Sequence, residues 1–351
     1  MEKTARIGAI DALKAVAILL MIFGHCIQCG AGAQYIAEQA FFQNIWFRGI
    51  YAFHMPLFML VSGYLFGISA SRHSLLQNLK TRFTSLLVPI LTWNIPVFAV
   101  HLIRRGEYSL GAIISVFLRT AVYSMWFLWA ILLCSLIVLA VRYLLRDHVL
   151  AYLAVFAVTF FLPDVGDTEN YKFMYPFFVL GYLYNCYGAN TKWLQKLLVV
   201  PRGLRLVASG AAFAVLLTFY NRDCFIYTSG YYIFSGDEPL RQFGIDMYRF
   251  VIGLVGCLFV TDLVCGMYDT LPAWLRSALS CLGRNSLGIY AVSSFVFMIL
   301  PDITPWMPGL HYGVVLLETV VITLFCLLCS VVMRKIKITN VLLLGGRGQR
   351  Q

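Results

Sequence analysis

Runs of about 20 apolar residues, separated by short polar segments, recur along the whole chain. A transmembrane helix needs about 20 such residues to cross the hydrocarbon core of a bilayer, so the pattern predicts ten spans. They fall at 9–28, 50–69, 84–103, 124–141, 149–163, 173–188, 204–220, 247–266, 284–300 and 313–333. The predicted fold class is all-α, a polytopic membrane protein with about ten transmembrane helices. We predict one domain over 1–351, with a helical bundle over about 5–335 and a cytoplasmic tail over 336–351.

Composition and charge agree with a membrane protein. Of the 351 residues, 60% are apolar and 12% are charged, whereas soluble domains have about 25% charged residues. The net charge of +11 comes from basic residues spread over short loops, as in proteins whose loop charges orient them in a bilayer. We therefore expect no nucleic-acid partner. With an inside N-terminus most loop arginines and lysines fall inside, which predicts that both termini are cytoplasmic.

The N-terminus has some features of a secretory signal peptide. Lys3 and Arg6 precede the first apolar run. Asp11 and Lys14 interrupt that run, which is also longer than the apolar region of a signal peptide, about 15 residues at most. We predict a first helix that is retained.

The first span carries three polar residues, Asp11, Lys14 and His25. Lys14 and His25 are eleven residues apart, which is three helical turns, so they share one stripe and lie about 16 Å apart along the axis. A cation at the centre of a lipid-facing helix costs about 2.5–3.5 kcal/mol. The stripe therefore indicates a protein interior or a wet cavity. The alternative for Asp11 and Lys14 is a mutually satisfied i,i+3 ion pair.

A second histidine, His54, begins the second span about one turn below the predicted outer surface. Antiparallel packing of the first two spans would bring His25 and His54 to similar depth. Histidine is the commonest general base because it titrates near neutral pH. This pair suits removal of a proton from a hydroxyl. The alternative is that each imidazole is a satisfied residue of the core.

The other polar positions have a structural interpretation, and some of them have a functional one as well. Arginines in two predicted inside loops, Arg72, Arg82 and Arg284, suit phosphate groups, but also fit a topology signal or lipid headgroup contact. Trp126 fits an interfacial anchor, and Asn285 fits a helix N-cap. The long polar segment 221–246 either covers an acceptor site or is an ordinary connection. The ten cysteines fit small buried residues rather than a metal site.

Together these residues resemble the acyltransferase-3 family of membrane O-acyltransferases. The family hallmark is Arg or Lys, ten intervening residues and His, and Lys14 to His25 has that spacing. FHMPLFMLVSGYLF (53–66), MWFLWAILL (125–133), YPFFVLGYLY (175–184) and LGRNSLGIY (282–290) resemble later family segments in the same order. The likeness covers about residues 5–335 and is greatest for stand-alone bacterial O-acetyltransferases that act on sugars.

The resemblance implies transfer of an acyl group, above all acetyl from acetyl-CoA, to a hydroxyl of a sugar or cell-envelope glycan at the bacterial inner membrane. The implied partners are acyl-CoA, a carbohydrate acceptor and membrane lipids, without a metal. His25 would be the essential histidine and Lys14 its basic partner. Two departures matter: lysine at 14 removes the bidentate fork of the commoner arginine, and Ser293 stands where many members have a histidine.

The predicted site has three groups of residues. They are Asp11, Lys14, His25 and His54 as catalytic residues, Arg72, Arg82 and Arg284 for acyl-CoA, and Ser62, Trp126 and Tyr290 for the acceptor. Whether the acyl group passes directly or through an acyl-enzyme stays open. The alternative function is a transporter or exporter of a small polar or glycan-linked substrate, although the paired repeats typical of transporters are not visible. A third alternative is a non-catalytic sensor or scaffold on the same bundle.

Overall fold

The computed structural model describes residues 2–29, 33–303 and 311–346. These residues form helices and connecting loops, with no strand among them. The helices in chain order are α1 (Glu2–Cys29), α2 (Ala33–Ala37), α3 (Ile45–Ala70), α4 (Leu75–Arg82), α5 (Val88–Arg105), α6 (Leu110–Tyr123), α7 (Trp126–Leu144), α8 (Val149–Thr159), α9 (Thr168–Tyr187), α10 (Lys192–Val199), α11 (Arg202–Phe219), α12 (Ile226–Ser229), α13 (Pro239–Met267), α14 (Ala273–Ile303), α15 (Tyr312–Lys335) and α16 (Lys337–Leu344). A π-helical turn, Phe83–Leu87, joins α4 to α5.

Eight helical segments in the described part of the chain are long and apolar enough to cross a membrane. They are α1, α3, α4 with α5, α7, α11, α13, α14 and α15. The other two predicted spans correspond to α8, which has 11 residues, and α9, which has 20 residues and contains Pro176. The prediction of an all-α polytopic membrane protein is confirmed.

Several helix boundaries differ from the prediction. The ninth predicted span begins near 284, whereas α14 already begins at Ala273. The turns before residue 284 are helical although they are more polar than the membrane-spanning part that follows. Asn285 is therefore not an N-cap: its amide donates to the Cys281 carbonyl of the preceding turn at 2.8 Å. The predicted tail contains α16, whose Leu343 carbonyl accepts a hydrogen bond from Trp93 Nε1 at 3.0 Å.

Helix α1 lies at the centre of the bundle, in contact with α3, α13, α14 and α15. Close crossings hold these helices together. At Gly63 of α3 and Gly181 of α9, an added Cβ would overlap the partner helix's carbonyl oxygens, those of Phe178 and Leu60. Small residues permit such backbone approach between membrane helices. The crossing fixes α3 against α9 and so sets the wall of the cavity described next.

Candidate active site

A cavity of about 330 Å³ opens at one end of the bundle, here called the cavity end, which consists of residues 38–44, 160–167 and 220–238. Its walls come from α1, α3, α9 and α14, with the loop after α11 above them. The side chains in its lining that carry polar atoms include His25, Gln28, Tyr51, His54, Trp126, Asp167, Asn170, Tyr220, Tyr227, Arg249 and Tyr290. Four of the predicted site residues, His25, His54, Trp126 and Tyr290, meet here.

His25 lies near the end of α1 and is half-buried in the cavity wall. Gly24 precedes it, and an added Cβ there would lie 2.9 Å from the Tyr51 ring of α3, so glycine permits this close approach. Gln28, one turn on, lines the same cavity, and the imidazole lies 4.8 Å from the Phe297 ring of α14. Neighbours from three helices therefore orient the imidazole.

His54 faces the same cavity from α3 and is only 3% exposed. Its Nδ1 lies 2.8 Å from the Ile50 carbonyl oxygen. A carbonyl only accepts, so Nδ1 carries the proton and the neutral ring keeps a lone pair on Nε2. The two imidazoles lie beside the same Tyr51 ring, whose centroid is 6.2 Å from that of His25 and 5.0 Å from that of His54. Such a pair can accept a proton from a hydroxyl and hydrogen-bond the oxygen that loses it.

The three residues predicted to bind the acceptor substrate do not all lie in the same place in the fold. Trp126, the first residue of α7, lines the cavity, as does Tyr290, whose hydroxyl accepts from the Phe127 backbone N–H at 3.3 Å. Ser62 does not line the cavity. It stands two turns beyond His54 on α3, on the part of the helix that packs against α9.

Lys14 and Asp11 also lie outside the cavity lining. Lys14 Nζ is 3.2 Å from Asp11 Oδ1, with side-chain exposures of 21% and 13%, so the i,i+3 ion pair exists. Arg284 follows Gly283, where an added Cβ would overlap the Asp11 carbonyl oxygen, and the Arg334 guanidinium donates to the Arg284 carbonyl. A patch of positive charge thus surrounds one carboxylate on the half of the bundle opposite the cavity.

The three arginines predicted for acyl-CoA do not share one contact group. Arg72 is exposed after α3. Arg82 stacks over the Phe66 ring of α3 at 5.1 Å. Arg284 is exposed on α14, beside Arg334. With residues 142–148, they belong to the end of the bundle opposite the cavity, here called the basic end (71–82, 142–148, 276–284 and 334–337).

Sequence reasoning missed Arg249, which organises the roof of the cavity. It lies on α13 and is 1% exposed. Its guanidinium is 2.6 Å from Asp246 Oδ1, and it donates to several groups of the loop after α11. These are the carbonyls of Asp223, Cys224, Phe225 and Gly230 and the Ser229 hydroxyl. One buried cation therefore fixes the loop that holds Phe225 and Tyr227 over the cavity.

A second anchor of the roof is Asp164, before α9. Its carboxylate accepts from the backbone N–H groups of Tyr231 and Tyr232 at 2.7 and 3.1 Å and pairs with Lys172. The polar segment 221–246 was the only sequence signal for this region, and it did not indicate which residues would bind the loop. Partners so distant in sequence become neighbours only in the fold.

Asp167 and Asn170 at the start of α9 are further cavity residues that the sequence did not single out. Burial raises the pKa of the Asp167 carboxyl above its ordinary value. Tyr227 lies across the same cavity, and burial raises the pKa of its phenol well above the usual range, so it stays protonated as a donor. A carboxyl, an amide and aromatic faces are the groups that hydrogen-bond and stack against a sugar.

Comparison with known proteins gives the class to which this fold and cavity belong. A family model described as an acyltransferase domain matches residues 7–335. The chain therefore belongs to the acyltransferase-3 family and is a membrane acyltransferase, as the motifs predicted.

Two curated relatives carry the name nodulation protein NolL. The protein from Mesorhizobium japonicum is 29% identical over 295 residues, 83% of this chain and 76% of the relative. The protein from Sinorhizobium fredii is 33% identical over 178 residues, which is 50% of this chain and only 47% of the relative, so that match spans about half of each protein. No solved structure matches the chain.

Proposed function

We propose that the protein transfers an acyl group from acyl-CoA to a hydroxyl of a sugar or cell-envelope glycan, and that this acyl group is acetyl. The observation that carries this proposal is the juxtaposition of His25 and His54 in one cavity walled by groups that suit a carbohydrate. The transfer would take place in the bacterial inner membrane, with both termini and the basic end cytoplasmic and the cavity end facing outward.

In the proposed reaction His25 is the general base. The acceptor O–H bond breaks and its proton moves to the His25 imidazole, while the acceptor oxygen bonds to the acyl carbon. The C–S bond of the thioester then breaks, and the proton held by the imidazolium goes to the departing thiolate. Proton transfer by a positioned histidine contributes about 10²- to 10⁴-fold to such rates.

His54 would position the acceptor or stabilise the oxyanion. With Nδ1 bonded to Ile50, the neutral ring accepts at Nε2 and the protonated ring donates there. The cavity is partly sheltered from water by the roof, and electrostatic interactions strengthen where water is excluded.

The basic end would receive the CoA part of the donor. Lys14, Arg284 and Arg334 concentrate positive charge near one Asp11 carboxylate, and Arg72 and Arg82 lie on the same end of the bundle. Guanidinium forks match phosphate geometry. Because Lys14 is about 16 Å from His25 along α1, an extended CoA arm would have to carry the thioester towards the cavity.

The acceptor would bind from the cavity end. Asp167 and Asn170 on one side and Tyr227 on the other offer hydrogen bonds to sugar hydroxyls, and Trp126 offers an aromatic face. These assignments extend the predicted acceptor residues Trp126 and Tyr290, whereas Ser62 has no contact with the cavity that would give it this role.

The decisive experiment is His25→Ala, with acylation of envelope glycans measured by mass spectrometry in cells and acyl-CoA consumption measured with purified protein. We expect transfer to fall by about 10²-fold or more. The matched control is His101→Ala, an exposed histidine on α5 outside the cavity, which should retain full transfer. Full activity of a normally inserted His25→Ala protein would refute the mechanism.

A further inference from the structure

A second cavity, of about 460 Å³, adjoins the first at the cavity end. It lies between the turn after α2, the first turn of α3 and the last turn of α11. Tyr220 lines both cavities, so they share a wall. Among the other residues of this second cavity are Glu38, Arg48, Asn221 and Arg222. Two guanidinium groups therefore lie beside the space that contains His25 and His54.

Arg48 has hydrogen-bonding capacity that the described residues leave unused. One terminal N–H group donates to the Leu217 carbonyl, near the end of α11, at 2.8 Å. Its Nε is buried and has no hydrogen-bond partner among the described residues. Leaving a donor of a charged group buried and unpaired is costly. A shift of the Arg48 side chain that brings Nε to the cavity, where a ligand atom accepts from it, would remove that cost.

Arg222 lines the cavity from the loop after α11. It donates to the Gln39 side-chain oxygen at 2.9 Å and lies over the Phe42 ring at 5.4 Å. In the described part of the chain neither Arg222 nor Arg48 forms a salt bridge. The Glu38 carboxylate in the same lining accepts from Gln34 at 3.0 Å. Two cations and one anion leave one net positive charge for a ligand.

We propose that this cavity binds one anionic group, a phosphate or a carboxylate, next to the hydroxyl that is acylated. The inference rests on the proposed function, which it deepens: the acceptor would be an anionic or phosphate-linked glycan. The headgroup of an anionic phospholipid offers the same phosphate chemistry, and it can lie near Arg48 because Arg48 is in the first turn of a membrane-spanning helix. Guanidinium groups bind both phosphate and carboxylate through charge-assisted, bidentate hydrogen bonds.

The test is calorimetric titration of the full-length protein in phosphatidylcholine nanodiscs. The probes are glucose 1-phosphate, glucuronate and the neutral methyl glucoside. We expect the two anions to bind at least about tenfold more tightly than the neutral sugar, since hydrogen bonds to charged groups are the stronger ones. Arg222→Gln and Arg48→Lys should each weaken the anions about tenfold and leave the neutral sugar unchanged. Arg48→Lys keeps the charge but removes Nε, so it tests the unpaired donor without removing the cation.

The matched control is Arg119→Gln, which removes the same charge from an exposed position on α6 outside both cavities. A second arm replaces phosphatidylcholine, whose headgroup has a phosphate but no net charge, with the anionic phosphatidylglycerol. Loss of glucose 1-phosphate binding in that arm only would assign the site to an anionic lipid headgroup, and unchanged binding would assign it to the acceptor.

Equal affinity for charged and neutral probes, or Arg222→Gln behaving like Arg119→Gln, would overturn the proposal. The measurement requires no acyl transfer, so its outcome is separate from the His25→Ala result. The anion site can fail while transfer persists, and transfer can fail while anions still bind.

Discussion

The two halves of α1 each carry polar residues, but the surroundings of those residues differ. Near its end, His25 borders a cavity and contacts side chains of α3 and α14. Nearer its beginning, Lys14 forms an ion pair with Asp11 on the same helix. The imidazole has room beside it for a substrate, whereas the ammonium already has a carboxylate partner. Equal spacing on one stripe therefore does not imply equal function.

The comparison separates chemistry from electrostatic attraction. Proton transfer needs an unoccupied nitrogen within hydrogen-bond reach of the substrate, and His25 and His54 at the cavity meet that requirement. A charge acts over a longer distance and can remain paired while it contributes to a positive field. On this basis Lys14 is expected to influence donor binding and the two histidines the chemical step.

The largest expected effect is on protein stability and concerns the roof of the cavity that His25 borders. Arg249→Ala removes the buried partner of Asp246 and of four loop carbonyls. Breaking a buried pair costs about 3–5 kcal/mol, so we expect a large fall in thermal unfolding temperature of the purified protein. The control is Arg241→Ala on the same helix, whose pair with Asp223 is exposed and is worth about 1 kcal/mol at most. Equal stability of the two variants would mean that Arg249 does not hold the roof.

The second effect tests the histidine opposite His25. His54→Ala should lower kcat by about 10²-fold or more, as removal of one group that stabilises a transition state does, without a comparable change in KM for acyl-CoA. Single-turnover kinetics with purified protein measure the chemical step directly. A variant in which only KM changes would place His54 with donor binding and erase the distinction between the two halves.

The third effect tests the helix crossing that positions His54. Gly181→Ala would force a methyl group against the Leu60 carbonyl, and overpacking of this kind costs about 1–3 kcal/mol. We expect lower thermal stability together with lower transfer. Gly203→Ala is the control, because an added Cβ there meets nothing within 4 Å and alanine favours helix. Unchanged stability of Gly181→Ala would show that α3 and α9 can separate without loss.

The smallest effect concerns the other half of α1. Lys14→Gln should raise KM for acyl-CoA by about tenfold, the loss of one charge-assisted contact, with kcat changed less. Asp11→Asn should leave KM equal or lower it, because the positive field of Lys14, Arg284 and Arg334 is then less neutralised. Steady-state kinetics over a range of acyl-CoA concentrations distinguish the two. A collapse of kcat in Lys14→Gln would give Lys14 a part in the chemistry.

Much of the bundle could be predicted because hydrophobic runs respond to one dominant constraint, the thickness of the bilayer. Boundaries were harder. The polar turns of α14 before residue 285 are helical although they are not apolar, and α16 forms where a tail was expected, because Trp93 and α5 provide it with a packing surface. In the site, the spacing of Lys14 and His25 could be read from the sequence, and so could the ion pair of Lys14 with Asp11 as an alternative. The contacts of His25 with the Tyr51 and Phe297 rings could not.

The sequence by itself determined the membrane class and the family. It also predicted ten apolar spans, against eight helical segments long enough to cross a membrane in the described residues. All three follow from local composition and short motifs. The tertiary structure alone decided which polar residues share a cavity. His54, Asp167 and Tyr227 stand far apart along the chain, and Arg249 acts on a loop some 20 residues before it. Such meetings arise from helix crossings and buried hydrogen bonds between distant segments, and no local pattern encodes them.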